Sequence, residues 1–464
     1  MTTEPRWRDA ASQSFWLDDL RRPEAHSEFL GTSACDIAVI GGGFTGLWSA
    51  LLAKQRRPNA HVVLVEGARI AEHASGRNGG FCAASLTHGD ANGRSRWPEE
   101  MPTLRALGAQ NLQEILDTIH DFSIDCDLEC TGQLDIATAP WQARDLREEC
   151  DALATTTIQA TYLDHITISD EFGSPLATAG LLDEDGCVLL NPARLAWGLA
   201  SAFESLGGEL FEHTRVNRLQ KGRQATTLHT DRGAITARQV IVATSAFRPL
   251  VKRTRGRVVP VYDYVLITEP LSDTQLSEIR WTSRRGVSDA GNQFHYLRLT
   301  SDNRILFGGY EAVYRFNQSV HPSFDQDDDV FALLQEHFDA FFPTLTTLGF
   351  SHRWGGAIDT STRFCASVTL SHNDSVATIN GFTGLGVGAS RFFASGALDL
   401  LEKTSSPATN LALFRHASLP FPPEPFRFLG IEFTRRAIAR ADRHNGRRGL
   451  WLRLLDALGL GFDS

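Results

Sequence analysis

The sequence predicts an α/β fold that combines a parallel sheet with a second, antiparallel sheet. A strand, a glycine-rich turn, a helix and a second strand follow one another over residues 35–66, which is typical of a parallel βαβ unit. Residues 259–310 instead carry short strands with a turn at 301–303, which indicates antiparallel pairing. The 464-residue chain is too long for one ordinary core, and its 42% hydrophobic content is that of a globular protein.

The βαβ unit has the pattern of a Rossmann-type dinucleotide site. Residues 37–40 form an apolar strand, Gly-x-Gly-x-x-Gly follows at 41–46, and the strand at 61–66 ends in an acidic residue. The first glycine permits a tight turn, the second lets the backbone approach a pyrophosphate, and the third lets the helix pack closely. The acidic side chain is expected to accept hydrogen bonds from ribose hydroxyls. The residues predicted to bind the dinucleotide here are Gly41, Gly43, Phe44, Thr45, Gly46 and Glu66.

Further glycine-rich segments favour a flavin dinucleotide over a nicotinamide. The segment at 74–80 follows almost at once, and small residues allow a backbone to run beside a large flat ring. The segment at 379–390 opens a predicted helix, whose positive end would stabilise a reduced flavin. Strands at 212–219 and 237–247 are predicted to reach the same ligand. The residues predicted to bind FAD in these segments are Ser75, Gly76, Arg77, Asn78, Gly79, Gly80, Val216, Thr244, Gly384, Leu385 and Gly386.

Several motifs carry a family resemblance. They are VIGGGFTGL, ASGRNGG, YLRLTSDNRILFGG, HRWGGAIDTS and GFTGLGVGAS. On these segments the chain resembles the D-amino-acid oxidase, glycine oxidase and sarcosine oxidase superfamily of FAD enzymes, over roughly residues 15–405, and within it γ-glutamylputrescine oxidase-type proteins. The resemblance implies that Trp354 and Gly356 lie on a strand at the flavin edge. The chain departs from many relatives at 363–365, where it has Arg-Phe-Cys instead of a proline.

The resemblance also implies a discontinuous domain organisation. The FAD-binding domain is expected to take three separate stretches of the chain, and the substrate domain is expected to take two. An N-terminal arm is predicted to pack as a strap over the core, and a helical extension is predicted at the C-terminus. The predicted boundaries are 1–29 for the arm; 30–100, 186–255 and 345–405 for the FAD-binding domain; 101–185 and 256–344 for the substrate domain; and 406–464 for the extension.

Candidate substrate-binding aromatic residues lie on two predicted strands. Tyr262 and Tyr264 share one strand, and His295 and Tyr296 lie on the other. Side chains alternate along a strand, so only one residue of a neighbouring pair faces a pocket. A packed or surface position remains an alternative for each of them. The residues predicted to act on substrate are His88, Tyr264, Tyr296, Arg298 and Arg353.

The charged candidates have alternatives too. Arg298 or Arg353 could clamp a substrate carboxylate with two parallel hydrogen bonds. Arg298 could instead pair with Asp302 across the predicted hairpin. His88, soon after the segment at 74–80, could face the ring or assist proton transfer, or it could be a core histidine satisfied by the backbone.

The overall charge and the cysteines limit the partners and the compartment. The formal net charge is −10, which excludes a general nucleic-acid binder because phosphate binding needs a positive surface. Seven scattered Cys and the absence of a secretory signal pattern favour a reducing cytoplasm, without disulfides or a metal site. Cys82 and Cys365 match no attachment pattern, so non-covalent FAD is expected.

The C-terminus differs from the acidic body. Eight Arg fall between 427 and 453, on one or two amphipathic helices joined at Asn445-Gly446. Three uses remain open: a helical cap docked on the body, a contact with a membrane surface or a quinone, and an interface with another protein or subunit. A cytoplasmic protein that is peripheral to the membrane is therefore one alternative.

The predicted activity is oxidation of a C–N bond in an amine or amino acid. Hydride transfer to flavin N5 gives an imine, which water hydrolyses to a carbonyl compound and an amine or ammonia, and O2 is reduced to H2O2. One alternative is a dehydrogenase that passes electrons to a quinone or a carrier at the membrane surface. Another is a flavin-binding regulatory protein without turnover.

Overall fold

The computed structural model describes residues 5–317 and 320–461, which form two large sheets and the helices that cover them. The strands are β1 (Gly31–Ile40), β2 (Val62–Val65), β3 (Phe81–Ala83), β4 (Gln133–Ala137), β5 (Ala160–Leu163), β6 (Ala179–Asp183), β7 (Cys187–Leu189), β8 (Glu209–Phe211), β9 (Val216–Lys221), β10 (Thr226–Thr230), β11 (Gly233–Val242), β12 (Val258–Thr268), β13 (Gly286–Asp289), β14 (His295–Leu299), β15 (Ile305–Gly309), β16 (Val313–Tyr314), β17 (Phe350–Ser361), β18 (Ser367–Ser371) and β19 (Val376–Asn380). The α-helices are α1 (Phe44–Arg56), α2 (Asp90–Arg96), α3 (Met101–Asp121), α4 (Pro140–Leu153), α5 (His165–Glu171), α6 (Pro192–Ser205), α7 (Asp273–Ile279), α8 (Asp328–Phe341), α9 (Gly386–Glu402), α10 (Ala412–Arg415), α11 (Phe426–Arg443) and α12 (Leu450–Ala457).

The first sheet is mainly parallel and is built around the predicted βαβ unit. Its path runs β18-β19-β11-β1-β2-β8, and the pairs from β19 to β8 along this path are parallel. β9 and β10 extend β11 as an antiparallel meander. The helices α1, α6 and α9 share a hydrophobic core with this sheet. The predicted α/β, Rossmann-type fold is confirmed.

The second sheet has nine strands and is mostly antiparallel. Its path runs β16-β12-β15-β14-β13-β4-β6-β5, and β17 pairs with β12 along eleven residue pairs. The predicted hairpin is present, since β14 and β15 pair antiparallel around residues 301–303. β17 covers 350–361 and lies in this sheet, although the predicted division assigns 345–405 to the FAD-binding domain. The division itself stays a prediction.

One predicted element is wrong. Residues 212–219 were expected to form one strand, but β8 ends at Phe211 and β9 begins at Val216. His213 between them has a φ of +49°, a left-handed conformation that no strand contains. The buried strand predicted at 237–247 likewise ends early, at Val242, so that Thr244 lies in the loop beyond it.

The N-terminal arm crosses both sheets. Trp16 is buried against the core of the first sheet, and its indole nitrogen donates to the carbonyl of Asn78 at 2.8 Å. Trp7 is buried in the core of the second sheet. Burial of the two indoles in separate cores stabilises the attachment of the arm to both sheets by several kcal/mol, on the order of 2 to 3 for each large side chain. The arm is thus a packing strap between the sheets.

The C-terminal helices dock on the second sheet. The Asp442 carboxylate accepts hydrogen bonds from Asn292 and Gln293, with the shortest at 2.6 Å, and Arg435 forms an ion pair with Glu311. Among the predicted uses of this segment, the helical cap is therefore present. None of the helices within the described residues combines the length and the apolar character needed to cross a bilayer.

Candidate functional site

A cavity of about 1800 Å³ lies between the two sheets. Its floor is formed by the carboxyl ends of β1 and β2 and by the loop at 74–80. Its far wall comes from the second sheet, and α11 and α12 contribute its roof. In open α/β sheets, ligands bind outside the carboxyl ends of the strands, so this is the expected position of a dinucleotide site.

The glycine turn forms a cradle with backbone donors. Gly41 has a φ of +111°, and a Cβ there would lie 2.4 Å from the carbonyl oxygen of Ala243. A Cβ on Gly43 would lie 2.8 Å from Ser75 Oγ, which accepts a hydrogen bond from the Phe44 amide at 2.9 Å. The first turn of α1 leaves amide groups that the helix itself cannot satisfy. These amides and the helix dipole suit a pyrophosphate.

Glu66 lies at the end of β2 and lines the same cavity. Its carboxylate accepts the amide of Gly42 at 2.6 Å and that of Ala68 at 2.7 Å. Burial raises the pKa of this carboxyl, and the two backbone hydrogen bonds oppose that shift. Each carboxylate oxygen has a second lone pair, so the group can still accept ribose hydroxyls.

The loop at 74–80 is held rigidly from both sides. Asn78 donates to the carbonyls of Ala74 and Ser75, and its own oxygen accepts the Gly80 amide. Arg77 forms an ion pair with Asp325 and also donates to a carbonyl of β17. A backbone fixed in this way gives a flat ring an ordered surface to lie on.

The third glycine segment leads into α9, as predicted. Gly384 has a φ of +94° and no atom within 4 Å of the position its Cβ would take. The N-terminal end of the 17-residue helix α9 therefore opens onto the cavity, which residues 384–387 line. Unpaired amides and the helix dipole at this end favour negative charge on a ligand.

Most of the predicted FAD-binding residues line the cavity. A smaller group packs against the lining residues. Trp354 is buried and donates to the carbonyl of Arg77 at 2.8 Å. Gly46 packs on the turn, because a Cβ there would lie 1.8 Å from the carbonyl oxygen of Gly41. The predicted residues that line the cavity are Gly41, Gly43, Phe44, Thr45, Glu66, Ser75, Arg77, Asn78, Gly79, Val216, Thr244, Gly356, Gly384, Leu385 and Gly386, together with His88 and Tyr296. Those outside its lining are Gly46, Gly76, Gly80, Trp354, Tyr264, Arg298 and Arg353.

The structure does not bring the two predicted carboxylate clamps to the cavity. Arg298 is fully buried and donates to the carbonyl of Leu190 at 2.7 Å, and Asp302 pairs with Arg304 instead. Arg353 pairs with Asp328 and lies over the Trp7 ring. Both guanidinium groups are engaged in holding chain segments together.

Alternation along β12 places Tyr264 away from the cavity. Tyr264 is buried in the core of the second sheet and donates to the carbonyl of Phe324 at 2.8 Å. Asp263, between the two tyrosines, points to the opposite face and lines the cavity. It is the one charged residue in an apolar strand, VVPVYDYVLIT, and this was the signal in the sequence that could have identified it.

Asp263 and Tyr296 form a hydrogen-bonded pair beside the loop at 74–80. The Tyr296 hydroxyl donates to the Asp263 carboxylate at 2.6 Å, and a Cβ on Gly79 would lie 2.8 Å from the Tyr296 ring. Burial raises the pKa of Asp263 to about 6, and the hydrogen bond from Tyr296 opposes the shift. A carboxyl that titrates near neutral pH in a cavity is a candidate proton acceptor.

Two histidine candidates differ in position. His88 lines the cavity at its junction with α9, and burial lowers its pKa to about 4, against a hydrogen bond with the Thr383 backbone. It is therefore neutral at physiological pH. His295 lies on the other face of β14, where its ring nitrogens contact Asp289 at 2.8 Å and His337 at 2.9 Å.

Comparison with known proteins agrees with this geometry. Residues 36–396 match the family model described as DAO, FAD dependent oxidoreductase. The chain belongs to the DAO family of FAD-dependent oxidoreductases. The oxidoreductase is 33% identical to the gamma-glutamylputrescine oxidoreductase of Escherichia coli (strain K12), over 69% of this chain and 73% of that protein. The predicted superfamily and its FAD cofactor are confirmed.

Other relatives cover more of the chain. A probable oxidoreductase, OrdL, of Rhizobium meliloti (strain 1021) is 27% identical over 86% of this oxidoreductase and 89% of its own length. The crystal structure of glycine oxidase from Geobacillus kaustophilus superposes with a TM-score of 0.68 at 20% identity, over 82% of this chain and 99% of that chain. This last likeness concerns the fold.

The residues of the oxidoreductase fit FAD. The cradle at Gly41–Thr45 suits the pyrophosphate, Glu66 suits the ribose, and the fixed loop at 74–80 leaves room for a flat ring within the same cavity. Cys82 and Cys365 are both buried outside the cavity lining, and burial raises the pKa of the Cys82 thiol to about 12. The thiolate needed to form a bond to a flavin is therefore disfavoured at both positions.

We expect FAD to be released when the oxidoreductase is denatured. Mild acid or guanidinium should leave the flavin absorbance in the supernatant after the protein has been precipitated and removed. The reason is that neither buried thiol reaches the cavity. Flavin absorbance that remains with the washed precipitate would contradict the prediction.

Proposed function

We propose that this oxidoreductase removes two electrons from a C–N bond of an amine, and that the resulting imine is hydrolysed while O2 is reduced to H2O2. The observation that carries the proposal is the Asp263–Tyr296 pair, which lies in the same cavity as the dinucleotide cradle, beside the loop at 74–80. Bound FAD would supply the acceptor for the hydride that leaves the carbon next to nitrogen.

The Asp263 carboxylate would receive a proton from the substrate. An amine can lose a hydride only when a lone pair is free on nitrogen, so an ammonium group must first be deprotonated. Asp263, with a pKa of about 6, is charged at neutral pH and can accept the N–H at hydrogen-bond distance. Tyr296 and the Tyr264 amide would hold the carboxylate in one orientation, because the hydroxyl donates to one oxygen and the amide donates to the other.

The charge of the cavity wall favours a cationic substrate. Segments 101–185 and 256–344 contribute eight acidic side chains and no Lys or Arg to the cavity lining within the described residues. These acids are Asp135, Asp145, Glu148, Glu149, Asp263, Asp289, Glu311 and Asp325. Arg77 and Arg435, which also line the cavity, pair with Asp325 and Glu311, and the remaining acids of this wall favour a second ammonium group over a carboxylate.

We therefore propose that the substrate carries a primary amine on an alkyl chain. Neither Arg298 nor Arg353 reaches the cavity to clamp an α-carboxylate. The Escherichia coli relative has a name that refers to γ-glutamylputrescine, a mono-acylated diamine whose putrescine end keeps a free primary amine. This substrate class agrees with the acidic wall, and His88, being neutral, would offer a hydrogen bond without adding positive charge.

We expect alkyl diamines and their mono-acylated derivatives to reduce the flavin at least about tenfold faster than glycine or D-alanine, because a carboxylate on the reacting carbon would lie near this wall and lose about 1.4 kcal/mol or more to repulsion. The measurement is anaerobic bleaching of the flavin band across a panel of putrescine, γ-glutamylputrescine, sarcosine, glycine and D-alanine. Equal rates for glycine and putrescine would contradict the substrate class, while leaving amine oxidation itself intact.

The electron acceptor has a second candidate. The apolar and basic outer surface of α11 and α12 favours an acceptor at a membrane, such as a quinone. Hydrogen peroxide formed in stoichiometric amount with the oxidised amine would support O2. Turnover with an artificial quinone, without peroxide in air, would support the dehydrogenase.

A further inference from the structure

The helices α11 and α12 have two different faces. One face lines the cavity, with Ile431, Thr434 and Ile438 on α11 and with Trp451 and Leu455 on α12. The helices also contact each other, since the Trp451 indole nitrogen donates to Thr434 at 3.0 Å. The exposed residues of α11 and α12 form a second face, which is called the outer face.

Apolar side chains are concentrated on this outer face. Fourteen large apolar side chains of the described residues are strongly exposed, and six of them belong to residues 426–458. On α11 they fall at positions i, i+3 and i+7, which places them on one side of the helix. The six are Leu429, Phe433, Leu450, Leu454, Leu458 and Phe426, the last of which also borders the cavity, and they are exposed by 50% to 86%. Such a cluster marks an interaction surface.

Arginines continue the same side of α11. Arg436, Arg440 and Arg443 follow the apolar residues at helical spacing and are exposed. Within residues 5–317 and 320–461, no acidic side chain forms an ion pair with Arg440, Arg443, Arg447 or Arg453. Their charge is therefore available to an external anion.

We propose that the outer face of α11 and α12 docks on an anionic lipid bilayer, with the helices lying in the plane of the interface. Exposed Phe and Leu side chains would enter the acyl boundary, while the guanidinium groups bind lipid phosphates. A two-fold contact between two copies would bring these unpaired arginines against each other, which disfavours self-association through this face. The docking does not depend on which amine the enzyme oxidises.

The experiment is vesicle co-sedimentation of the full-length holoprotein. We expect binding to vesicles that contain phosphatidylglycerol and little binding to pure phosphatidylcholine. Binding should fall when salt rises from about 0.1 M to about 1 M, because screening shortens electrostatic reach. The triple variant R436Q/R440Q/R443Q should bind about 100-fold more weakly, at about fivefold for each arginine. The variant L429S/F433S should also bind these vesicles more weakly, because it removes two of the apolar side chains of the outer face.

A matched control removes the same charge elsewhere. The variant R218Q/R223Q/R280Q changes three exposed arginines on β9, on the turn after it and at the end of α7, and it should bind the vesicles as the wild type does. Flavin content checks that each variant is folded. Equal loss in the control, or equal binding to both lipid compositions, would overturn the proposal. A wild-type dimer that L429S/F433S converts to a monomer, without vesicle binding by either, would overturn it in favour of a second copy.

Discussion

Replacing Asp263 with Asn is expected to slow flavin reduction by an amine substrate by about 10²- to 10⁴-fold, the range for loss of a general base. The amide keeps the size of the side chain and can still meet the Tyr296 hydroxyl, but it cannot take a proton. FAD binding should be unchanged, since Asp263 bonds to the Tyr296 hydroxyl and the Tyr264 amide rather than to the cradle at residues 41–45. Anaerobic stopped-flow reduction at saturating amine measures the effect.

The rate of flavin reduction should depend on pH in a defined direction. Asp263 has a pKa raised to about 6, so the rate in the wild type should fall as pH drops below about 6 and the base becomes protonated. Because the hydrogen bond from Tyr296 lowers that pKa, the variant Tyr296→Phe should move the acidic limb to higher pH. In Asp263→Asn the fall in rate near pH 6 should disappear. The rate should then follow only the free-amine fraction of the substrate.

A control separates proton transfer from a general loss of negative charge. Asp145 lies on α4 at the same cavity and is exposed, so Asp145→Asn removes one charge without touching the pair. In Asp145→Asn the fall in rate below about pH 6 should therefore persist. If Asp263→Asn kept that pH dependence and lost less than about tenfold in rate, Asp263 would not be the proton acceptor.

The segments of the predicted cofactor site could be identified from the sequence because each step there is local. Gly41, Gly43 and Glu66 belong to one continuous βαβ unit, and their spacing determines the turn, the helix and the acid. The loop at 74–80 and the start of α9 were predicted from glycine content in the same way. All of these segments line the cavity.

The substrate side depended on contacts between distant segments. Arg298 and Arg353 looked like carboxylate clamps, but they are engaged by Leu190 and Asp328. The orientation of β12 decided between Asp263 and Tyr264, and alternation alone left both open. The two C-terminal helices were predicted, yet their position as a roof follows from a pairing of Asp442 with Asn292 across about 150 residues of chain.

Replacing Gly43 with Ala is expected to weaken FAD binding by about 10- to 100-fold, or about 1.4 to 2.8 kcal/mol. The new Cβ would lie 2.8 Å from Ser75 Oγ, closer than carbon and oxygen can approach. Ser75 must then move and release the Phe44 amide, or the cradle must widen. Either response moves the backbone donors away from the pyrophosphate. Fluorescence titration of the apoprotein with FAD measures the dissociation constant.

Two further variants show whether the close approach is responsible. Gly349→Ala adds the same methyl group where the nearest atom, Cγ of Glu269, is 3.8 Å away, so its FAD affinity should equal that of the wild type. Ser75→Ala removes one hydrogen bond and creates no close contact, so its loss should be near fivefold, about 1 kcal/mol. The expected order of loss is Gly43→Ala, then Ser75→Ala, then Gly349→Ala. An equal affinity for the two glycine variants, with equal melting temperatures of their apoproteins, would show that the pyrophosphate does not lie against Gly43.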